Sequence, residues 1–229
     1  MSSNRIILMD LDETIGSFKD INLVYHYVKR YMNLHELLNI FKKEVFRPHM
    51  FDIFEMIANL KRMNEVDKVI LYTNNNGGHV WPSKIVQYIH KNIPDVFDDI
   101  IYGLFVVRGN IPDTRRKYYH KHMEDVRRIL QVHPGTTFLF FDDMDYQHMH
   151  TNDVEYILLN PYSRNLSSGM VLEKLKYHPL FRFLRDALHE YETSNHDPFE
   201  EDDEKEDDIH YSESVRITRS IIEFVHLNP

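Results

Sequence analysis

The chain has 229 residues, 42% hydrophobic and 13% aromatic, which suits one domain with an appendage or two small ones and excludes a collagen-like or wholly disordered chain. It has no cysteine, so disulfides, thiolate zinc sites and cysteine nucleophiles are excluded together. The net charge of -9 is uneven: residues 200–208, EEDDEKEDD, hold eight acids and one lysine, a run that repels nucleic acid and argues against general nucleic-acid binding.

In chain order, RIILMD (residues 5–10) reads as a short buried strand that ends in acids. Residues 21–32 and 34–45 carry apolar side chains at three- and four-residue steps and predict two helices, with Asn33 and Glu36 as a capping box between them. The same period predicts a helix over 49–63. DKVILYT (67–73) is a second apolar strand, closed by the polar turn NNNGG. A helix over 83–93, a strand over 99–107, a helix over 121–132 and a strand over 136–145 follow. VEYILL (154–159) is a last strand, and 170–191 is helical with Pro179 interrupting it. In the final segment Ile217, Ile221, Ile222 and Val225 predict one apolar helical face that docks back on the domain.

Strands separated by helices predict an α/β fold with a mainly parallel central sheet covered on both faces. In such a sheet, ligands bind at the carboxyl ends of the strands. Three strands end there in DLDET, TNNNGG and DDMD, so three polar clusters distant in sequence should converge. Asp10 and Asp12 with the Asp142/Asp143 pair make a strongly negative pocket, which needs a cation to neutralise it. All-oxygen ligation suits Mg²⁺. An aspartate beside such an ion is able to attack phosphorus, while a second carboxyl moves the proton.

This arrangement resembles the haloacid dehalogenase superfamily. DLDET matches its first motif, Asp-x-Asp-x-Thr. VILYTN resembles the second, and LFFDDMD the one with paired acids. More narrowly, DLDETI, RPHMFDIFEMI, ILYTN and VVRGN, in that order, resemble the RNA polymerase II C-terminal-domain phosphatases and their small relatives, over roughly residues 5–190. The resemblance implies a Rossmann-like three-layer fold and Mg²⁺-dependent hydrolysis of phosphate monoesters through an aspartyl-phosphate. It implies Asp10 as nucleophile and metal ligand, and Asp12 as general acid/base with its carbonyl toward the metal. Thr14 would fix the loop. Thr73 and the Asn74 amide would bind the phosphoryl group, with a lysine, Lys121 or alternatively Lys117, neutralising it. Asp143 would be a metal ligand, and Asp142 would orient the lysine or support the metal.

The interval 17–46 departs from those phosphatases. It reads as a small helical insertion, so their aromatic peptide pocket does not carry over. The expected organisation is a phosphatase domain over 1–192, an acidic flexible linker over 193–208 and a helical segment over 209–229. A phosphorylated protein or peptide is the expected substrate. The alternatives are a small-molecule or nucleic-acid-end phosphate, or a catalytically weak module that recruits a basic partner through its acidic tail. No apolar stretch reaches the length of a membrane span, and MSSNRIILMD lacks a signal peptide's long apolar region, so an intracellular, cytoplasmic or nuclear location is expected.

The remaining conspicuous residues read as structural. His120 with His122 and His148 with His150 are surface or packing histidines. Trp81 and Pro82 pack in the core or line the site's entrance. Arg47 and Pro48 set a turn, and Arg108 pairs on the surface.

Overall fold

A computed structural model describes residues 4–75, 80–104, 112–194 and 204–227. Five strands form one sheet: β1 (Arg5–Met9), β2 (Lys68–Tyr72), β3 (Asp99–Ile101), β4 (Thr137–Asp142) and β5 (Val154–Leu158). Their order is β3-β2-β1-β4-β5, and every pairing is parallel. The helices are α1 (Lys19–Val28), α2 (Leu34–Ile40), α3 (Lys42–Val45), α4 (Met50–Arg62), α5 (Val80–Asn92), α6 (Met123–Leu130), α7 (Ser168–Leu175), α8 (Phe181–Ser194) and α9 (Glu204–Leu227). The architecture is a three-layer, Rossmann-like α/β fold with helices on both sides of the sheet.

Strand alternation divides the core in two. Ile7, Met9, Val69, Leu71, Leu139 and Phe141 face one side, where apolar residues of every helix except α6 gather. Ile6, Leu8, Ile70, Tyr72, Phe138 and Phe140 face the other, against Met123 and Val126 of α6 and Met149 of a short 3-10 turn. The strands are apolar on both faces because both faces are covered, which is why they read as continuous runs in the sequence. From β1 the chain steps to β2 and β3, then returns past β1 to β4. The strand order therefore reverses beside β1, and a crevice opens at the carboxyl ends of β1 and β4.

The predicted elements are present in type, several with shifted ends: the helix predicted over 21–32 ends at Val28, that over 34–45 divides into α2 and α3, that over 83–93 starts at Val80, and the strand predicted over 136–145 ends at Asp142. Asn33 caps α2 by accepting from the Glu36 amide at 3.0 Å, and the helical region around Pro179 divides into α7 and α8. Four further expectations need correction. The strand predicted over 99–107 ends at Ile101, because Tyr102 and Gly103 turn to bond with Asp113; residues 105–111, Arg108 among them, lie outside the described residues. The helix predicted over 121–132 begins at Met123, since His122 is extended and its imidazole accepts from the Glu124 amide. The C-terminal helix begins at Glu204, so 204–208 belong to it, while 195–203 of the expected linker lie outside the described residues. Ile222 is exposed: residues 217, 221, 224 and 225 share one helical face, so Phe224 packs in its place. The docking itself holds, with Ile217, Ile221, Phe224 and Val225 joining the larger core.

Candidate active site

Asp10 is the first residue past β1, and its amide is held by the Phe141 carbonyl of β4 at 3.0 Å. Leu11 and Ile15 are fully buried and pull the following turn inward. Glu13 takes a left-handed backbone (φ 63°), and its amide bonds back to the Gly16 carbonyl at 2.8 Å. Gly16 has to be glycine, because a Cβ there would lie 2.3 Å from the Val45 carbonyl oxygen. The turn is anchored from below by Arg47, a fully buried guanidinium that donates to the carbonyls of Thr14 (2.7 Å), Glu13 (2.7 Å) and Asn160 (2.8 Å). Arg47 thus does more than set the turn expected of it.

Asp142 ends β4, and Asp143 follows it. The Lys121 ammonium is buried against both strand ends, donating to Asp10 and, at 2.5 Å, to Asp142 Oδ2. The other Asp142 oxygen accepts from the Met144 amide at 2.9 Å, and Asp143 accepts from the Thr14 hydroxyl at 3.1 Å. Lys117, the alternative lysine, lies on the surface beside Glu124. The segment carrying Lys121 is fixed by two buried groups. Asp125 accepts from the amides of Lys117 (2.9 Å) and Tyr118 (3.1 Å), and Arg116 ties Asn74 Oδ1 (2.7 Å) to the Tyr119 carbonyl (3.0 Å).

Thr73 follows β2, is buried, and accepts from the Asn75 amide at 3.0 Å. Asn75 also donates from its side chain to Asp12 Oδ2 at 2.5 Å. The Asn74 side chain donates to the Tyr146 hydroxyl at 3.3 Å. All seven expected residues, Asp10, Asp12, Thr73, Asn74, Lys121, Asp142 and Asp143, line one cavity of about 430 Å³. The helical insertion supplies another wall through Phe18, Lys19 and Asn22, and Trp81 both lines the cavity and packs in the core.

One carboxylate oxygen each from Asp10, Asp142 and Asp143 lie within 4.8 Å of one another. The Asp12 carboxylate is outside this group and is held by Asn75 instead. Burial pushes the Asp10 carboxyl above its ordinary value despite the Lys121 ammonium, with Asp143 adding to the rise. Burial likewise raises Asp142 to about 7, opposed by Lys121 and reinforced by Asp10. Asp12 is pushed up to about 7, again chiefly by burial, opposed by the Asn75 hydrogen bond. Burial pulls the Lys121 ammonium down, but Asp10 and Asp142 more than reverse this, so it stays charged. Five carboxylates, those of Asp10, Asp12, Glu13, Asp142 and Asp143, against the two ammoniums of Lys19 and Lys121 leave the crevice short of positive charge, which is the condition a hard divalent cation with oxygen ligands satisfies.

The histidines stay out of this geometry. His120 lies against Tyr119 and Tyr146, whereas His122 stacks between Tyr118 and His148, so the first two point apart. His150 bonds Asp145 at 2.5 Å on the surface. Arg47, Asn75, Arg116, Asp125 and Tyr146 are contributors that reading the sequence missed. Only Asn75 carried a signal, its place in the polar turn after β2. No family model matches the chain, and no curated protein resembles it closely enough to count as a match.

Proposed function

We propose that the protein is a Mg²⁺-dependent phosphate monoester hydrolase that works through an aspartyl-phosphate on Asp10, as the motif resemblance to the haloacid dehalogenase superfamily implies. The observation that carries this reading is the buried Lys121 ammonium held by both Asp10 and Asp142 at the floor of a cavity that Asp12 and Thr73 also line. A lysine kept charged among carboxylates at a strand switch point is suited to receive a phosphoryl dianion.

In the proposed reaction an Asp10 carboxylate oxygen attacks phosphorus and the ester P–O bond breaks. Asp12, raised to about 7 and so partly protonated at neutral pH, gives its proton to the departing alkoxide. Asp12, now ionised, takes a proton from water as that water attacks the phospho-aspartate. Inorganic phosphate leaves, and Asp10 and Asp12 return to their starting states. Lys121 and the Thr73 hydroxyl hold the phosphoryl oxygens throughout. Asp10, Asp142 and Asp143 would hold the Mg²⁺, which when bound supplies charge neutralisation between nucleophile and phosphate. A phosphoserine or phosphothreonine protein is the favoured substrate, on the strength of the resemblance.

The test is a panel of phosphopeptides, sugar phosphates, nucleotides and 5′-phosphorylated oligonucleotides, assayed with Mg²⁺ and with chelator. Phosphate release should need Mg²⁺ and should disappear in Asp10→Asn, a nearly isosteric change that keeps the fold. Turnover by Asp10→Asn, or none by the wild type on any substrate, would overturn the reading. Turnover of small phosphates alone would move the substrate class.

A further inference from the structure

A second cavity, of about 330 Å³, lies between α1, α2 and α5, and its lining includes Tyr25, His35, Lys84, Tyr88 and Lys91. Its lining residues follow those of the active-site crevice by one turn on two shared helices. On α1 the crevice is lined by Asn22 and the second cavity by Tyr25; on α5 the pair is Trp81 and Lys84. Each step is three residues, roughly 4.5 Å along a helix axis. Both helices start at the crevice's rim and run away from it, so the two cavities succeed one another along a single seam. Lys84 bridges the seam, its ammonium 5.2 Å from the centroid of the Tyr25 ring.

The charge of the second cavity runs against that of the molecule: its lining holds Lys84 and Lys91 and no acid. The chain has 36 acids and a net charge of -9, yet α5 contains no acid at all. The single acids of α1 and α2 are engaged elsewhere, Asp20 with the Leu166 amide at 2.8 Å and Glu36 with His178 at 3.0 Å. Lys19 in the crevice and Lys84 and Lys91 in the second cavity have no carboxylate within ion-pairing distance among the described residues. Lys91 is also the charged group felt by His35, whose imidazole is held below its ordinary value by burial and then by that ammonium. Elsewhere among the described residues, most lysines and arginines meet acids, as Lys61 meets Asp98 and Arg127 meets Asp153.

We propose that the α1/α5 seam is a second, anion-binding subsite, in which Lys84 and Lys91 receive an acidic or phosphorylated side chain of the peptide whose phosphoester sits at Asp10. The inference rests on the phosphatase reading and gives it a substrate class: peptides bearing two anionic groups along an extended chain. A nucleic-acid strand fits less well. The Tyr88 ring is buried, with its hydroxyl bonded to Asn39 Oδ1 at 3.0 Å, and offers no face for a base to stack on.

The experiment uses the full chain and synthetic peptides that carry one phosphoserine alone, or that phosphoserine with a second phosphoserine or a glutamate two to five residues away on either side. Affinity is read by fluorescence anisotropy on Asp10→Asn protein, and kcat/KM on wild type. At the best spacing the second anion should tighten binding about tenfold at low salt, less at high salt. Lys84→Glu with Lys91→Glu should erase that gain, and Lys84→Gln with Lys91→Gln should reduce it. Equal affinity for singly and doubly anionic peptides, or a gain that survives the double charge reversal, would overturn the subsite. Tighter binding of a 5′-phosphorylated single-stranded oligonucleotide than of every peptide would overturn the choice of a peptide. Should wild type release no phosphate from any probe, the phosphatase reading fails, and the affinity measurements still decide the subsite.

Discussion

The two faces of the sheet divide the labour unequally. One face is buried under every helix but α6 and contains most of the apolar core. The other is covered by α6 and a few loop residues, with Met123, Val126 and Met149 as its main apolar contributions. Yet the thin face supplies the group that defines the crevice, because Lys121 arrives on the segment leading into α6. That segment is held by polar groups, the Asp125 carboxylate and the Arg116 guanidinium, where the thick face would use methyl groups. A lysine placed by a network of hydrogen bonds is positioned precisely while adding little apolar burial. The proposed chemistry is therefore expected to be sensitive to single polar changes on one face, and stability to lost volume on the other.

The largest effect should come from Lys121. Lys121→Ala removes the only ammonium touching Asp10 and Asp142 among the described residues and should lower kcat by about 10²–10³-fold. Lys117→Ala, on the same segment but solvent-facing, should change kcat little. If steady-state kinetics showed the reverse, the assignment of the lysine would pass to Lys117.

Arg47 tests how far the thick face also depends on a polar anchor. It belongs to the turn before α4, and it ties the Glu13 and Thr14 carbonyls of the loop after β1 to the Asn160 carbonyl beyond β5. Arg47→Met keeps the side chain's bulk but strands those buried acceptors, at about 3 kcal/mol or more of stability. Chemical denaturation should show that loss. Gly16→Ala in the same loop should cost about 1–3 kcal/mol by pushing on the Val45 carbonyl.

Apolar truncation sharpens the contrast directly. Phe224→Ala on α9 empties a fully buried site of the thick core and should cost about 3–5 kcal/mol. Val126→Ala on α6 removes less volume and should cost less, but it loosens the helix that follows Lys121. Urea melts alongside kcat should therefore show Phe224→Ala losing mainly stability and Val126→Ala losing a larger share of activity.

The contrast also explains what could be read from the sequence. The five strands, the helices of the thick face and the acids after β1 and β4 were legible, because apolar periodicity and strand-end carboxylates are local signals. Only the family resemblance favours Lys121 over Lys117 in the sequence, since the two differ only in how Asp125 and Arg116 fold the intervening residues. Arg47 was invisible for a similar reason: its partners are main-chain carbonyls at Glu13, Thr14 and Asn160, and a carbonyl leaves no mark in a sequence. Ile222 misled because apolar character alone does not give a helical phase.

The smallest expected effect is a pH dependence of the thick face. His90 on α5 accepts the Phe97 amide at 3.1 Å through Nε2, so the fold needs a neutral imidazole. Burial lowers its pKa from the ordinary histidine value, with Asp95 and Asp98 opposing and Lys61 assisting. The unfolded chain therefore takes up the proton first as pH falls. The stabilisation is present above the unfolded value near 6.5 and is lost as pH drops through the folded one. The site is partly exposed, so solvent screening keeps the change below about 1 kcal/mol. His90→Gln retains an acceptor that does not titrate. Between pH 7.5 and 5.5 the wild type should lose stability relative to His90→Gln in paired thermal melts, and parallel curves would show that the Phe97 contact is not coupled to this titration.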